Sequence, residues 1–286
     1  MKASKARLSN LGLTALAPIS WGTTYAVTTE FLPPDHPLLV ASMRALPIGL
    51  LMTLGMRKLP QGHWWWRILV LGALNIGVFQ ALLFVAAYRL PGGVAATAGA
   101  IQPLLVVLFS WLILSNRPTR LAIAVAIAGF VGVGLLVLSP EAQLDGIGVV
   151  AALGGAVAMG MGTVLVKQWK PPVSLITFTA WQLTMGGLLL LPLGLIVEGP
   201  FETVSRGNLW AFIYLGLIGT GLAYALWFRG IDKLSASAAA YLGLLSPLVA
   251  TLIGYIFLQE TLTPVQLAGI AVVLVSVVVG QQAASQ

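Results

Sequence analysis

The sequence predicts an all-α membrane protein, with ten transmembrane helices arranged as two inverted five-helix repeats. Three observations carry that expectation. Of 286 residues, 58% are hydrophobic and 8% are charged, against roughly 25% charged in ordinary soluble proteins. So few charges cannot cover a soluble globule, and so high an apolar content excludes a disordered chain. Apolar runs of about 20 residues, enough at about 1.5 Å per residue to cross a hydrocarbon layer of roughly 30 Å, recur along the whole chain. Finally, the chain overlays on itself after a shift of 144 residues.

The first run, Asn10 to Phe31, follows Lys2, Lys5 and Arg7. Basic residues before an apolar stretch resemble a secretory signal, and Ala15-Leu16-Ala17 has small residues suited to cleavage. The run continues for a full span, so it is read as a retained helix. The second, Pro37 to Met56, lies between Pro33-Pro34 and Pro60. The third, Ile68 to Tyr88, is entered through Trp64-Trp65-Trp66 and Arg67, an aromatic belt with a basic anchor, and closes before Pro91-Gly92. Gly93 to Leu114 stops before Pro118, and Leu121 to Leu138, a short span, stops before Pro140. In the second half, Ile147 to Val166 ends before Pro171-Pro172, and Ser174 to Val197 ends before Gly199-Pro200. Leu209 to Trp227, Ser235 to Leu258 and Leu262 to Gly280 complete the set. Proline and glycine punctuate the boundaries because neither continues a helix well.

Charge placement sets the orientation. With the N-terminus in the cytoplasm, the inner segments hold Lys2, Lys5, Arg7, Arg57, Lys58, Arg67, Arg117, Arg120, Lys167, Lys170, Arg229 and Lys233, while the outer loops hold Arg89 and Arg206. This is the positive-inside pattern. Seven acids fall outside, namely Glu30, Asp35, Glu141, Asp145, Glu198, Glu202 and Glu260, and Asp232 falls inside. A missed or surplus helix would invert every later loop, so the bias favours ten spans with both termini cytoplasmic.

The 144-residue shift places Ala73 to Leu104 on Leu217 to Leu248 with ten identities in 32 positions, among them Gly77 on Gly221, Phe84 on Phe228, Gly99 on Gly243 and Pro103 on Pro247. With a small gap, Trp21-Gly22-Thr23 meets Met161-Gly162-Thr163. Residues 1–140 and 141–286 are therefore read as two five-helix repeats. Five is odd, so the second enters the membrane from the opposite side, the architecture of many secondary transporters.

Several of these residues resemble a known family. Ile19-Ser20-Trp21-Gly22, Arg44, the spacing of Gly99 to Pro103 and of Gly243 to Pro247, and above all Gln259-Glu260-Thr261-Leu262-Thr263 followed by Gln266-Leu-Ala-Gly269, are similar to EamA-type members of the drug/metabolite transporter superfamily. The first half departs from that pattern, with Ser115-Asn116-Arg117-Pro118-Thr119 in place of the acidic turn. Within the family the sequence is most similar to YddG-type exporters of aromatic and other amino acids in bacterial inner membranes. The resemblance implies a central cavity formed by helices 1, 3, 4, 6, 8 and 9, alternating access, and export as the direction of transport.

A substrate site in such a protein lies near the midplane, where polar groups must be paired or face a cavity. Trp21, Asn75, Phe79, Gln80, Trp181, Tyr224 and Tyr241 are the candidates, with Ser20, Thr24, Thr97, Gln102, Gln182 and Ser246 behind them. Asn75 and Phe79 share a helical face, and Gln80 overlays Tyr224 in the repeat. Amides and hydroxyls suit the charged ends of an amino acid, and aromatic faces suit its side chain or ammonium. The alternative is hydrogen bonding that merely ties helices together. Arg44 is the one charge placed inside the hydrocarbon, and three roles are open to it: binding a carboxylate, pairing across helices, or snorkelling to the outer surface. Its repeat counterpart is Gln182. Gly99 and Gly243 suit close helix approach, and Pro103 and Pro247 suit hinges.

No P-loop, nucleophile elbow or H-E-x-x-H is present, so the chain is not expected to be an enzyme. It has no cysteine, and its two histidines, His36 and His63, are far apart. No metal or cofactor is expected, nor a nucleic-acid partner; the partners are a small-molecule substrate and the bilayer. All eight acids lie at span ends or in loops, which favours uncoupled diffusion or exchange over a midplane proton relay. The expected function is export of amino acids or similar metabolites. The alternatives are export of another metabolite or a cationic drug, and a membrane scaffold whose polar groups would pack closed.

Overall fold

In hydrocarbon a backbone must satisfy its own hydrogen bonds, and within one segment a helix achieves that. Every element of the structure, a computed structural model describing residues 2–90, 99–137, 145–257 and 262–284, is helical. In chain order these are α1 (Lys2–Gly22), α2 (Thr24–Phe31), α3 (Pro37–Met56), α4 (Trp64–Arg89), α5 (Gln102–Leu114), α6 (Arg120–Val137), α7 (Gly146–Trp169), α8 (Leu175–Val197), α9 (Arg206–Lys233), α10 (Ala236–Gly243), α11 (Leu245–Phe257) and α12 (Pro264–Ala283). Thr97, Leu138, Glu141, Leu258 and the Gln259–Thr261 turn lie outside the described residues.

Seven described helical stretches are long and apolar enough to cross a membrane: α3, α4, α7, α8, α9, α10 with α11, and α12. The three other expected spans correspond to α1 with α2, divided at Thr23, and to the shorter apolar helices α5 and α6. The outer surface carries exposed Leu51, Leu112, Val150, Ile196 and Phe257. In water such a girdle would aggregate; against lipid it is at home.

The packing has a two-fold pattern. α3 lies along α8, and α6 lies along α12. α1 contacts α9, α10 and α11, while α7 contacts α4 and α5. Small residues bring the backbones together, as expected where no hydrophobic effect drives association. A Cβ at Gly49 of α3 would lie 2.5 Å from the Thr184 nitrogen of α8, and one at Gly187 of α8 would lie 2.6 Å from Leu46 Cβ of α3.

Helix ends are fixed by side chains. Glu198 accepts the backbone N–H groups of Leu38 at 2.7 Å and Leu39 at 2.9 Å, holding the start of α3. Lys167 Nζ donates to the carbonyls of Ile231, Asp232 and Leu234 at 2.9, 3.0 and 2.7 Å, closing the end of α9. Thr263 and Gln266, conspicuous in the sequence, form a capping box at the start of α12. Gly269 of α12 has no room for a Cβ, which would lie 2.6 Å from the Leu136 nitrogen of α6.

α4 and α9 are not α-helical throughout. Each contains a π turn, Ala73–Val78 in α4 and Leu217–Leu222 in α9. These two segments are related by the same 144-residue shift that aligns the sequence.

Candidate functional site

Two helix breaks and two π turns surround a cavity. The first break is at Thr23, whose hydroxyl donates to the Ser20 carbonyl at 2.7 Å and lies 2.8 Å from the Tyr214 hydroxyl. Gly22 beside it packs on α11, where an added Cβ would lie 2.6 Å from Val249 Cβ. The second break separates α10 from α11. Pro247 has no N–H for the carbonyl of Gly243 four residues back, and its ring crowds that carbonyl. The helix accordingly stops at Gly243 and resumes at Leu245. Pro103 stands in the same relation to Gly99, and α5 begins at Gln102.

The cavity measures about 120 Å³, room for on the order of ten waters. Trp21, Thr24 and Thr28 line it from α1 and α2, Arg44 from α3, and Phe79, Gln80 and Phe84 from α4. Opposite them stand Gln102 and Pro103 of α5, Ala152, Gly155, Ala156 and Met159 of α7, Tyr224 of α9, and Gly243, Ser246 and Pro247 at the second break. One end is closed by rings packed at tilted and edge-on angles. Trp21 lies 5.2 Å from both Tyr224 and Trp227, Tyr224 lies 5.7 Å from Phe228, and Phe228 lies 5.5 Å from Phe178. On the far side of Phe178 and Phe228 a second cavity opens among Lys167, Lys170 and Asp232.

Arg44 is 2% exposed, and among the described residues it is the one buried Lys, Arg, Asp or Glu. The π turn of α9 receives it. Arg44 Nε donates to Thr220 Oγ1 at 2.7 Å and Nη2 to the Gly219 carbonyl at 2.7 Å, with the guanidinium 5.9 Å from the Phe84 ring. Trp21 Nε1 donates to the same Gly219 carbonyl at 3.0 Å. A π turn breaks the regular α pattern of carbonyl pairing, which is why it is found at functional sites. The π turn of α4 is held in the reverse sense. Tyr224 donates its hydroxyl to the Asn75 carbonyl at 3.2 Å and accepts from Gln80 Nε2 at 3.4 Å, while Asn75 Nδ2 donates to Gln182 Oε1 at 2.7 Å. Among the described residues, four cavity-lining polar atoms have no hydrogen-bond partner: the hydroxyls of Thr24 and Thr28, Gln80 Oε1 and Gln102 Nε2. A buried polar atom left unpaired costs about 1–3 kcal/mol.

The structure thus brings Trp21, Arg44, Phe79, Gln80 and Tyr224 to one cavity, with Gly99, Pro103, Gly243 and Pro247 on its wall. Gln102 and Ser246 join them. Asn75 sits behind the wall, fully buried against Gln182 and beneath Gly162. Trp181 points elsewhere, donating to the Lys58 carbonyl at 2.7 Å. Tyr241 packs on Gly280 and donates to the Ala122 carbonyl at 2.6 Å. Ser20 is spent on its own helix, donating to Ala17 O at 2.9 Å. The expectation that Gly99 and Gly243 permit close helix contact is corrected: a Cβ at Gly99 would meet nothing within 4 Å among the described residues, and the nearest atom to one at Gly243 would be Trp227 at 3.9 Å. Both face the cavity. The glycines that admit a neighbour are others, Gly22, Gly49, Gly162 and Gly187 among them.

Sequence reasoning missed Thr28 and the face of α7. Thr28 follows Trp21 and Thr24 at helical spacing, a polar row legible in retrospect. Ala152, Gly155, Ala156 and Met159 repeat at three and four residues, the small-residue stripe that lets a cavity exist beside a helix.

Comparison with known proteins agrees with this architecture. A family model described as the EamA-like transporter family matches residues 9–138 and 146–279. Protein PecM of Dickeya dadantii (strain 3937) is 46% identical over 267 residues, covering 93% of this chain and 90% of that protein. The uncharacterized transporter YvbV of Bacillus subtilis (strain 168) is 30% identical over 272 residues, covering 93% and 89%. A solved crystal structure of 20% identity superposes with a TM-score of 0.79 over 97% of this chain and 98% of that one, a likeness of fold. The chain therefore belongs to the EamA-like transporter family, within the drug/metabolite transporter superfamily, and is a multi-pass membrane transporter.

Proposed function

We propose that the chain exports amino acids or similar amphiphilic metabolites across a bacterial inner membrane by alternating access, without an ion gradient. The observation that carries this reading is the cavity: apolar and aromatic walls, one guanidinium, and buried hydroxyl and amide atoms without partners. Trp21, Phe79 and Tyr224 supply ring faces for the substrate body, and Gln80 Oε1 supplies an acceptor for an ammonium. Asn75, through its carbonyl and its bond to Gln182, sets the Tyr224 hydroxyl; Trp181 and Tyr241 brace the helices that carry the walls. Among the described residues no Asp, Glu, Lys or His lines the cavity, which favours uncoupled diffusion or exchange.

Ten spans in two inverted halves, 1–140 and 141–286, are the architecture that best accounts for two family matches, the paired contacts and the paired π turns. In that arrangement the Trp64 end of α4 and both termini face the cytoplasm, and the present cavity opens outward. Breaks at Gly243–Pro247 and before Pro103 serve as hinges, and the rings of Tyr224, Phe228 and Phe178 form the inner closure.

Counterflow into liposomes containing only this protein tests the reading. Vesicles preloaded with an unlabelled amino-acid mixture should accumulate single labelled amino acids with no ion gradient imposed, and Gln80→Ala or Tyr224→Ala should reduce it. Folded protein that accumulates none of them would overturn the amino-acid assignment, and accumulation that demands a proton gradient would overturn the uncoupled mechanism.

A further inference from the structure

We infer that the cavity selects its substrate by a carboxylate, with Arg44 as the specificity-determining residue and the α-amino group dispensable. The inference rests on the transporter reading and names its substrate class: amphiphilic carboxylates, of which amino acids are one kind.

Three features of the lining lead there. First, Arg44 contributes a formal positive charge to the cavity wall, and no described lining residue carries a negative one. In a low-dielectric site that charge favours an anion and opposes a cation at every distance a substrate can occupy. Second, Arg44 is positioned from behind. Gly219 and Thr220 of the α9 π turn take Nη2 and Nε, and the Phe84 ring lies under the guanidinium. A guanidinium fixed in this way is preorganised for the planar geometry of a carboxylate. Third, the unpartnered lining atoms are mostly able to donate. Thr24, Thr28 and Gln102 offer two hydroxyls and an amide nitrogen, against one lone acceptor, Gln80 Oε1. Hydroxyls also accept, so it is the Arg44 charge, with three groups able to donate beside it, that suits an acceptor-rich anionic group. An ammonium finds the Gln80 amide oxygen, the same two hydroxyl oxygens and the faces of Trp21 and Tyr224, but meets the Arg44 charge as a repulsion.

Two measurements test this separately from the transport assay. The chain contains no cysteine, so Ala87→Cys places a single thiol on the cavity wall, one helical turn beyond Phe84. Its rates of modification by the sulfonatoethyl and trimethylammonioethyl methanethiosulfonates report the local charge. Adding Arg44→Gln should shift the anion-to-cation rate ratio about tenfold toward the cation, while Arg44→Lys should leave it within about twofold. An unchanged ratio in a well-folded Arg44→Gln protein would sink the proposal. The second measurement is competition against labelled phenylalanine counterflow. 3-Phenylpropanoate should compete within about threefold of phenylalanine itself, and phenethylamine at least tenfold less well. Equal competition by phenethylamine, or none by 3-phenylpropanoate, would overturn it. If phenylalanine does not exchange at all but the thiol ratio responds to Arg44, the amino-acid reading fails and the charge selection stands.

Discussion

Asn75 and Gly219 stand at equivalent places in two π turns, and each carbonyl accepts a hydrogen bond from the other family-matched segment. Tyr224, within 146–279, donates to Asn75, while Trp21 and Arg44, within 9–138, donate to Gly219. The two segments are thereby tied at their centres by backbone acceptors as well as by the side-chain pairs Arg44–Thr220 and Asn75–Gln182. The ties differ in strength, because a guanidinium and an indole hold one carbonyl and a phenol at 3.2 Å holds the other. Of the two carbonyl ties, the one at Asn75 is the weaker.

Tyr224→Phe tests that tie. The ring and its 5.2 Å contact with Trp21 persist, but the Asn75 carbonyl and Gln80 lose a partner. A loss of about 1–2 kcal/mol in stability is expected, read as a lower melting temperature in detergent, with counterflow reduced less than by Tyr224→Ala. A Tyr224→Phe protein as stable as the parent would mean that the bond contributes nothing.

Gly162→Ala should destabilise by about 1–3 kcal/mol, since the new methyl group overlaps the Asn75 side chain. That displacement breaks the bond to Gln182. Combining it with Asn75→Ala removes the obstacle, so the two effects should fall short of additivity in a double-mutant cycle. Strict additivity would place the strain elsewhere.

Pro247→Ala restores the N–H that the Gly243 carbonyl lacks. The α10–α11 break should partly heal, stabilising one conformation and slowing turnover severalfold while substrate binding changes little. Separate measurements of equilibrium binding and of exchange rate distinguish this from a simple loss of affinity.

Exchange should follow the ionisation of the substrate rather than that of the protein. Between pH 5.5 and 8.5, as a rough working range, a guanidinium stays charged, and no Asp, Glu, Lys or His among the described residues lines the cavity. A counterflow rate that is flat for a substrate whose own charge is constant is the expected result; a steep limb would point to a titrating group outside this lining.

Much of the site could be read from sequence because the repeat supplied positions that helical periodicity alone does not. Gln80 over Tyr224, and Pro103 over Pro247, fell on the cavity through that arithmetic. Trp181, Asn75 (which shares a helical face with Phe79) and Tyr241 (which overlays Thr97 in the repeat) are candidates of the same kind, yet the structure turns them to other neighbours. In a buried helix every face is apolar, so the pattern does not reveal which face meets a cavity and which meets a helix. Gly99 and Gly243 illustrate the same limit: a missing side chain serves tight packing and an open wall equally well in sequence, and the atoms within 4 Å decide. The break at Thr23 is hidden for another reason: no proline marks it, while Pro18 lies inside α1 without ending it. The π turns left no compositional trace at all.

Those turns also carry a consequence of phase. A π turn accommodates one residue more than the α geometry it interrupts, and one residue on an α-helix is about 100° of rotation. Everything beyond Val78 in α4 and beyond Leu222 in α9 is therefore swung round by roughly a quarter turn relative to an unbroken helix. Gln80, Phe84, Tyr224 and Phe228 all lie in those swung portions. Deleting a single residue from either turn would let the helix run on as regular α, with Gln80, Phe84, Tyr224 and Phe228 still turned to the chamber. A deletion between the turn and those residues would instead rotate that half of the wall by about 100°.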